Sequence, residues 1–231
     1  MAGTRYASFG TDTIRFLREL ERNNNRDWFN ENKSRYEKDV LDVALNFIQS
    51  MHDPLRKIAP HFTAIPKRLG GSLMRVYRDT RFSKNKLPYK TNVGIQFRHE
   101  QARDVHAPGY YLHIDPDQVF LGVGMWHPEP AALAAIRERI AAKQGEWIRA
   151  RDDASFRRHF SLGGESLVRP PRGYDKNHPL IEDIKRKDFI AVKNMDVDDA
   201  MQARFQQKVE TAFTAATPLM KFLCKAVGVP F

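Results

Sequence analysis

The sequence predicts an α+β fold, in which a mainly antiparallel sheet is flanked by helices from the N-terminal and C-terminal parts of the chain. Helical periodicity dominates both ends of the 231-residue chain. Four short segments of alternating hydrophobicity follow one another in the middle without an intervening helix, which favours antiparallel strands. No internal repeat or linker-like tract interrupts the chain, which indicates a single domain over residues 1–231.

The N-terminal part predicts two amphipathic helices. The first covers Thr11–Arg22 and has an apolar stripe on one face. Three asparagines at residues 23–25 favour a break, because short amide side chains compete for backbone hydrogen bonds. A longer periodic pattern over residues 29–51 predicts a second helix, continued by a short one over residues 54–58.

Period-two alternation predicts four strands, over residues 72–77, 92–98, 110–115 and 119–126. Residues 115–118 have the composition of a turn, so the last two strands are expected to form an antiparallel hairpin. Apolar residues of the first two strands should form the scaffold of the sheet. We expect the buried scaffold residues to be Met74, Val76, Val93 and Ile95.

Helical patterns return after the predicted hairpin. Apolar periodicity follows Pro130, and Thr217-Pro218 has the composition of a helix start. The remaining predicted elements are helices within residues 130–160, a small strand over 166–169, a short helix over 180–187, a strand over 189–192, and helices over 201–216 and 217–227.

The composition bounds the class of protein. Hydrophobic residues make up 42% of the chain, which is enough for a full core. Cys224 is the only cysteine, so neither a disulfide framework nor a CxxC metal site is expected. No apolar run approaches the ~20 residues of a membrane span, and residues 1–6 lack a secretory signal. We therefore expect a cytoplasmic protein.

The basic character of the chain is concentrated in one segment. Ten lysines and arginines lie between Lys67 and Arg103 against two acidic residues, so this segment carries +8 of the net charge of +10. Concentrated charge indicates an anionic partner, either an anionic small molecule such as a phosphate compound or a nucleic acid, and a solvated face kept for solubility is the alternative. The candidate ligand-binding residues of this segment are Arg75, Tyr77, Arg78, Asp79, Arg81, Lys84, Lys86, Tyr89 and Lys90.

Each residue type in this segment suits an anion site in its own way. Arginine offers a bidentate fork for phosphate or carboxylate, and lysine offers a mobile point charge. Asp79 is isolated among cations, so we expect it to be ionised and to orient Arg78 or Arg81.

The polar face of the predicted sheet is the second candidate. Alternation places Tyr111, His113 and Trp126 on one face with Gly122 and Gly124. Glycines inside strands often mark the close approach of a ligand, and a helix packed over them is the alternative.

A further basic stretch consists of Lys185, Arg186 and Lys187. It would close the anion site if the fold brings it near Arg81. The alternative is that these charges complement the C-terminal dipole of a helix.

Two other functional classes fit the same residues. A nucleic-acid-binding module would use the cations together with the aromatic residues Tyr77, Phe82 and Tyr89. An enzyme acting on a phosphorylated substrate would need a nearby acid or base. Its candidates are Asp79, His113 and His127. The sequence contains no HExxH metal motif and no GxSxG nucleophile motif, and it specifies no cofactor and no oligomeric state.

Several stretches together resemble a widespread, mainly bacterial family of conserved hypothetical proteins with a domain of unknown function. They include the Gly-Gly-Ser stretch that leads into the basic loop, the Trp126-His127-Pro128 corner and the His178-Pro179-Leu180-Ile181 run. The full set covers residues 24–29, 70–90, 108–111, 122–128, 169–174 and 178–189. The resemblance implies a single-domain cytoplasmic protein of about this length, and it does not itself specify an activity or a cofactor.

Overall fold

An antiparallel sheet forms the centre of the computed structural model, which describes residues 8–81, 83–101 and 108–231. Within these residues its strands are β1 (Phe62–Thr63), β2 (Val93–His99), β3 (Gly109–Ile114), β4 (Val119–Met125), β5 (Ser161–Gly163) and β6 (Phe189–Met195). Their order is β1-β2-β3-β4-β6-β5, with every neighbouring pair antiparallel. The predicted α+β fold is confirmed, and so is the hairpin between β3 and β4.

The N-terminal helices differ from the prediction in one respect. Helix α1 (Thr11–Arg22) has the expected bounds. The predicted continuous helix over residues 29–51 is wrong, because Asn32 leaves the helical conformation and donates from its side chain to the carbonyl of Trp28 at 2.9 Å. The segments found there are α2 (Arg26–Glu31), α3 (Lys33–Tyr36), a π-helical turn (Glu37–Leu41) and α4 (Asp42–Ser50), followed by α5 (His52–Ile58).

Helices also fill most of the C-terminal part. They are α6 (Pro130–Ala142), α7 (Gln144–Arg151), α8 (Ala154–His159), α9 (Ile181–Ile184), α10 (Val197–Met201), α11 (Phe205–Ala215) and α12 (Thr217–Ala226). The small strand predicted over residues 166–169 is reduced to one bridge between Ser166 and Arg186. Among the helices that the structure describes, none is both long and apolar enough to cross a bilayer.

The first predicted strand, residues 72–77, does not form a regular strand. Strand β1 pairs with the C-terminal end of β2, so only the other end of that edge is left for this segment. There Ser72 accepts a hydrogen bond from the amide of Gln96, and the amide of Met74 donates to Gly94. Beyond Met74 the chain turns away from β2. Val93 and Ile95 are buried as expected, but Met74 and Val76 are only half-buried.

One face of the sheet packs against the helices. The ring of Phe213 in α11 lies 4.7 Å from Tyr110 and 6.0 Å from Phe97, measured between ring centroids. Trp147 of α7 packs edge-on against Phe189 of β6. The buried apolar residues of the sheet and the helices belong to one continuous cluster. The opposite face of the sheet is therefore the one available to a ligand.

Candidate functional site

The face of the sheet opposite the core forms a groove, which we call the glycine groove. It has a volume of about 460 Å³. The described residues that line it come from β2, β3, β4 and β6 and from the segments that flank strands, and none comes from a helix. They are Met74, Gln96, Gly109, Tyr110, Tyr111, Phe120, Gly122, Val123, Gly124, Trp126, Ile190 and Val192. Register aligns Gln96, Tyr111, Gly122 and Val192 across the four strands.

The two glycines of β4 have different roles. A Cβ atom at Gly122 would meet only the side chain of Tyr111, at 3.6 Å or more, so this glycine leaves open space in the groove. Gly124 has a φ of +111°, and a Cβ there would lie 2.0 Å from the carbonyl oxygen of Phe189. Gly124 is therefore required by the backbone of the neighbouring strand, whereas Gly122 is not.

Three polar residues of β3 and the following turn form a line of hydrogen bonds at the edge of the groove. The hydroxyl of Tyr111 lies 3.0 Å from Nδ1 of His113, and Nε2 of His113 lies 3.0 Å from Oδ2 of Asp115. The other carboxylate oxygen accepts from the amides of Asp117 and Gln118. A carboxylate beside Nε2 favours the tautomer with the proton on that nitrogen, so Nδ1 accepts from the Tyr111 hydroxyl.

Packing holds this line in place. The imidazole of His113 stacks on Phe120 at 4.6 Å, with 12° between the ring planes. Gly94 provides the space for the Tyr111 hydroxyl, because a Cβ at this position would lie 2.9 Å from it. Burial, together with the charge of Asp115, raises the pKa of Tyr111 to about 12. Tyr111 therefore stays protonated at neutral pH.

Gln96 contributes an unusual polar group to the wall of the groove. The residue is only 7% exposed. Its Oε1 is buried and has no hydrogen-bond partner among the described residues. A buried acceptor without a partner costs free energy and is uncommon in folded proteins. Sequence reasoning missed this atom, because alternation gives the face of a residue and not the hydrogen-bond partners of its side chain.

The corner after β4 positions Trp126 at one end of the groove. His127 has a positive φ of 46°, and its amide and Nδ1 both lie within 2.9 Å of Oδ1 of Asp188. Asp188 is 1% exposed, and its second oxygen accepts from the amide of Glu165. The buried carboxylate therefore fixes the corner, and the Trp126 side chain stays half-exposed at the groove.

The basic segment forms a separate cavity beyond the N-terminal end of β2, which we call the basic pocket. Its volume is about 540 Å³, and its lining residues are Glu21, Asn24, Arg78, Asp79, Asn85, Leu87, Tyr89, Lys90, Thr91 and Asn92. Two backbone hydrogen bonds hold the base of the loop, from Arg78 to Pro88 at 2.9 Å and from Lys90 to Val76 at 2.7 Å.

Asn24 clamps the chain beside the basic pocket. Its Nδ2 donates to the carbonyl of Tyr89 at 3.0 Å, and its Oδ1 accepts from the Tyr89 amide at 3.1 Å. The ring of Tyr89 is buried and stacks on Phe29 at 4.0 Å. Tyr89 thus anchors the loop, and the clamp sets the position of Lys90. No local sequence signal identifies Asn24, because its partner is 65 positions away.

Three cations around the basic pocket have no ion-pair partner among the described residues, namely Arg75, Arg78 and Lys90. Burial lowers the pKa of Lys90, and the nearby charges of Arg75 and Arg78 lower it further. The two guanidinium groups therefore lie close enough to the Lys90 ammonium to disfavour its charged form.

The tip of the loop is arranged differently. One edge of the Arg81 guanidinium pairs with Asp79, since Nε donates to Oδ1 at 3.0 Å and Nη2 donates to Oδ2 at 2.7 Å, and this pairing lowers the pKa of Asp79 to about 2. Lys86 donates to the carbonyl of Thr80. Lys84 is exposed, and Tyr77 is exposed beside Tyr89. Phe82 and Arg103 lie outside the described residues.

The basic stretch of residues 185–187 is not brought to the basic pocket. It precedes β6 at the end of the sheet where Met125 pairs with Phe189, whereas Lys90 precedes β2 at the end where Val93 pairs with Ile114. All three cations have acidic partners of their own. The pairs are Lys185 with Glu182, Arg186 with Asp183, and Lys187 with Glu165.

The three acid–base candidates are also separated. Asp79 is paired with Arg81, and His127 is paired with Asp188 at the far end of β4. Only His113 lies between the two cavities, since its Nδ1 is 3.5 Å from Nδ2 of Asn92, which lines the basic pocket. No cluster of three or more metal-ligating side chains occurs within the described residues.

Comparison with known proteins places these features in a family. The comparison with curated proteins finds no match. A family model described as a conserved hypothetical protein, DUF2461, matches residues 12–222. That match includes both cavities and every strand of the sheet, and it confirms the resemblance drawn from the motifs. The chain belongs to the DUF2461 family of conserved hypothetical proteins.

Proposed function

We propose that the protein binds a phosphate-bearing or other anionic small molecule in the basic pocket. The observation that carries this proposal is the group of three cations that have no ion-pair partner among the described residues, Arg75, Arg78 and Lys90. Arg81, Lys86 and residues 185–187 instead face an acidic side chain or a carbonyl. A folded protein gains nothing from holding like charges together unless a counter-charge joins them.

The energetics of Lys90 support the same proposal. Its ammonium is partly desolvated beside two guanidinium groups, so its charged form is disfavoured in the free protein. A bound anion would reverse this effect, because an opposite charge within a few ångströms favours the charged form. Arg78 can bind phosphate oxygens with two parallel N–H groups, and the Thr91 hydroxyl and the Asn92 amide line the same cavity.

The acidic residues of the pocket limit the size of the anion. Glu21 and Asp79 also line the cavity, and Asp79 is neutralised by Arg81. The Glu21 carboxylate repels any anion in the cavity, and it repels an extended polyanion more than a compact anion that carries less charge. The pocket therefore fits a small phosphate group better than a long phosphate backbone.

The test is a calorimetric titration of the protein with pyrophosphate at low and at physiological salt. Replacing both Arg78 and Lys90, as Arg78→Ala/Lys90→Met, should weaken binding by about 10- to 100-fold, because two charge-assisted contacts are lost. The matched control is Arg169→Ala/Arg172→Ala, which removes the same charge from an exposed loop. Its affinity should stay within about twofold of wild type.

Two outcomes would overturn the proposal. In the first, the Arg78→Ala/Lys90→Met variant binds pyrophosphate as tightly as wild type. In the second, wild type does not bind pyrophosphate but binds single-stranded DNA or RNA, and the logarithm of its binding constant falls linearly with the logarithm of the salt concentration. The second result would assign the cations to a nucleic-acid-binding module.

A further inference from the structure

We infer that the glycine groove is a second binding site, which takes a planar heteroaromatic ring of the nucleobase type. This inference does not depend on the basic pocket, because the residues that carry it lie on the sheet itself. Its support comes from the shape of the floor, from the aromatic walls and from one buried polar atom that has no partner among the described residues.

The floor of the groove is flat because Gly122 has no side chain. A methyl group at this position would meet only Tyr111, so the space above the strand is open to a ligand. Gln96 of β2 and Val192 of β6 lie at the same level on either side, with β3 and β4 between them. With about 460 Å³, the groove lies within the range of small-molecule pockets.

Aromatic side chains form much of the wall. Tyr111, Phe120 and Trp126 all line the groove. Phe120 is already stacked on His113 and Tyr111 is held by its hydrogen bond, so neither ring needs to be ordered when a ligand binds. Flat π-systems stack on such walls irrespective of their exact substituents, which favours a planar ring over a flexible chain.

The polar edge distinguishes a heteroaromatic ring from a hydrocarbon. Oε1 of Gln96 is buried at the groove and has no partner among the described residues. An acceptor in this state is satisfied by a ligand N–H and is left unsatisfied by a hydrocarbon. Amide side chains commonly pair with the edges of nucleobases, which offer such a group beside a flat apolar face. The hydroxyl of Tyr111 is already hydrogen-bonded to His113, so we expect Gln96 to form the hydrogen bond with the edge of the ligand ring.

The experiment compares two kinds of flat probe. Adenosine, guanosine, cytidine and uridine carry hydrogen-bonding edges, and naphthalene does not. Each is titrated into the full chain by ligand-observed NMR, with circular dichroism to verify folding. Wild type should bind at least one nucleoside, and Gln96→Leu should weaken that binding by about tenfold or more while leaving naphthalene binding unchanged or stronger.

A second variant tests the floor. Gly122→Val should abolish nucleoside binding by filling the groove, whereas Gly163→Val, a glycine in edge strand β5 with open space around it, should bind like wild type. Arg78→Ala/Lys90→Met should keep nucleoside binding, which separates this site from the basic pocket. Naphthalene binding without binding of any nucleoside, or full nucleoside affinity in a folded Gly122→Val variant, would overturn the inference.

Discussion

The two faces of the central sheet use the same strands for different purposes. On β3, Tyr110 packs into the helical core while its neighbour Tyr111 lines the groove, and on β4 the same alternation separates Leu121 from Gly122. The core face consists of large apolar side chains in contact with helices. The groove face combines glycine, a glutamine whose Oε1 has no partner among the described residues, and a hydrogen-bonded histidine. One face is therefore arranged for stability, and the other keeps space and polar groups that stability does not require.

The glycines of β4 give the largest expected effect. Gly124→Ala should destabilise the protein by about 3 kcal/mol or more, because the residue has a positive φ and its new methyl group would overlap the Phe189 carbonyl. Gly122→Ala should change stability by less than about 1 kcal/mol, since its methyl group enters open space. Urea unfolding of both variants measures the difference. Equal losses of stability would show that the backbone also requires a glycine at position 122, and the two glycines would then have the same role.

Adjacent tyrosines give an intermediate effect. Tyr111→Phe should cost about 1 kcal/mol, because the hydrogen bond to His113 is lost. The hydroxyl of Tyr110 is buried without a partner among the described residues, so Tyr110→Phe should be neutral or stabilising. Chemical denaturation at pH 7 distinguishes them. A larger loss for Tyr110→Phe than for Tyr111→Phe would contradict the assignment of the two faces.

The same tyrosine predicts a dependence on alkaline pH. The pKa of Tyr111 is raised from 10.0 to about 12 by burial, so the unfolded chain ionises first as the pH rises. Its contribution to stability is complete below pH 10 and is lost between pH 10 and about 12, because there the unfolded state has released the proton that the folded state keeps. Tyr111→Phe should therefore show a shallower loss of stability than wild type over this range.

The fold was largely predictable because it depends on local periodicity. Thr11–Arg22, β2, β3 and β4 follow from spacing alone. The failures have a common cause in contacts between distant residues. Residues 72–77 could not be recognised as irregular, because the register of the Leu73–Ile95 bridge would pair residues 76 and 77 with residues 92 and 91, which lie before the start of β2 at Val93. The break at Asn32 depends on a side-chain cap that periodicity does not record.

The sequence predicted which types of residue line the two cavities better than it predicted which of these residues lie together. Alternation correctly placed Tyr111, His113 and Gly122 on one face, since the period of a strand is fixed. Charge counting could not separate Arg78, which has no ion-pair partner in the part of the chain that the structure describes, from the paired Arg81, because pairing depends on side-chain geometry. It also could not place residues 185–187 at the other end of the sheet, which follows only from the strand register.

The smallest expected effect concerns Lys90, and it extends the comparison from the groove to the basic pocket. A group kept for binding should cost stability when its ligand is absent. Lys90→Met removes a partly desolvated charge beside Arg75 and Arg78 while keeping the methylene packing, so it should stabilise the free protein by about 0.5 kcal/mol after allowing for solvent screening. Lys84→Met, at an exposed position of the same loop, is the matched control and should have no measurable effect.

The pH dependence of this gain identifies its cause. The pKa of Lys90 is lowered from 10.5, so the destabilising charge is fully present at neutral pH and is released as the pH rises through the lowered value towards 10.5. The advantage of Lys90→Met over wild type should therefore shrink in urea unfolding measured near pH 10. The variant should also bind pyrophosphate more weakly than wild type, so that the same substitution raises stability and lowers affinity. A destabilised Lys90→Met, or a gain that persists unchanged at high pH, would mean that Lys90 is held by favourable contacts and that its charge carries no cost.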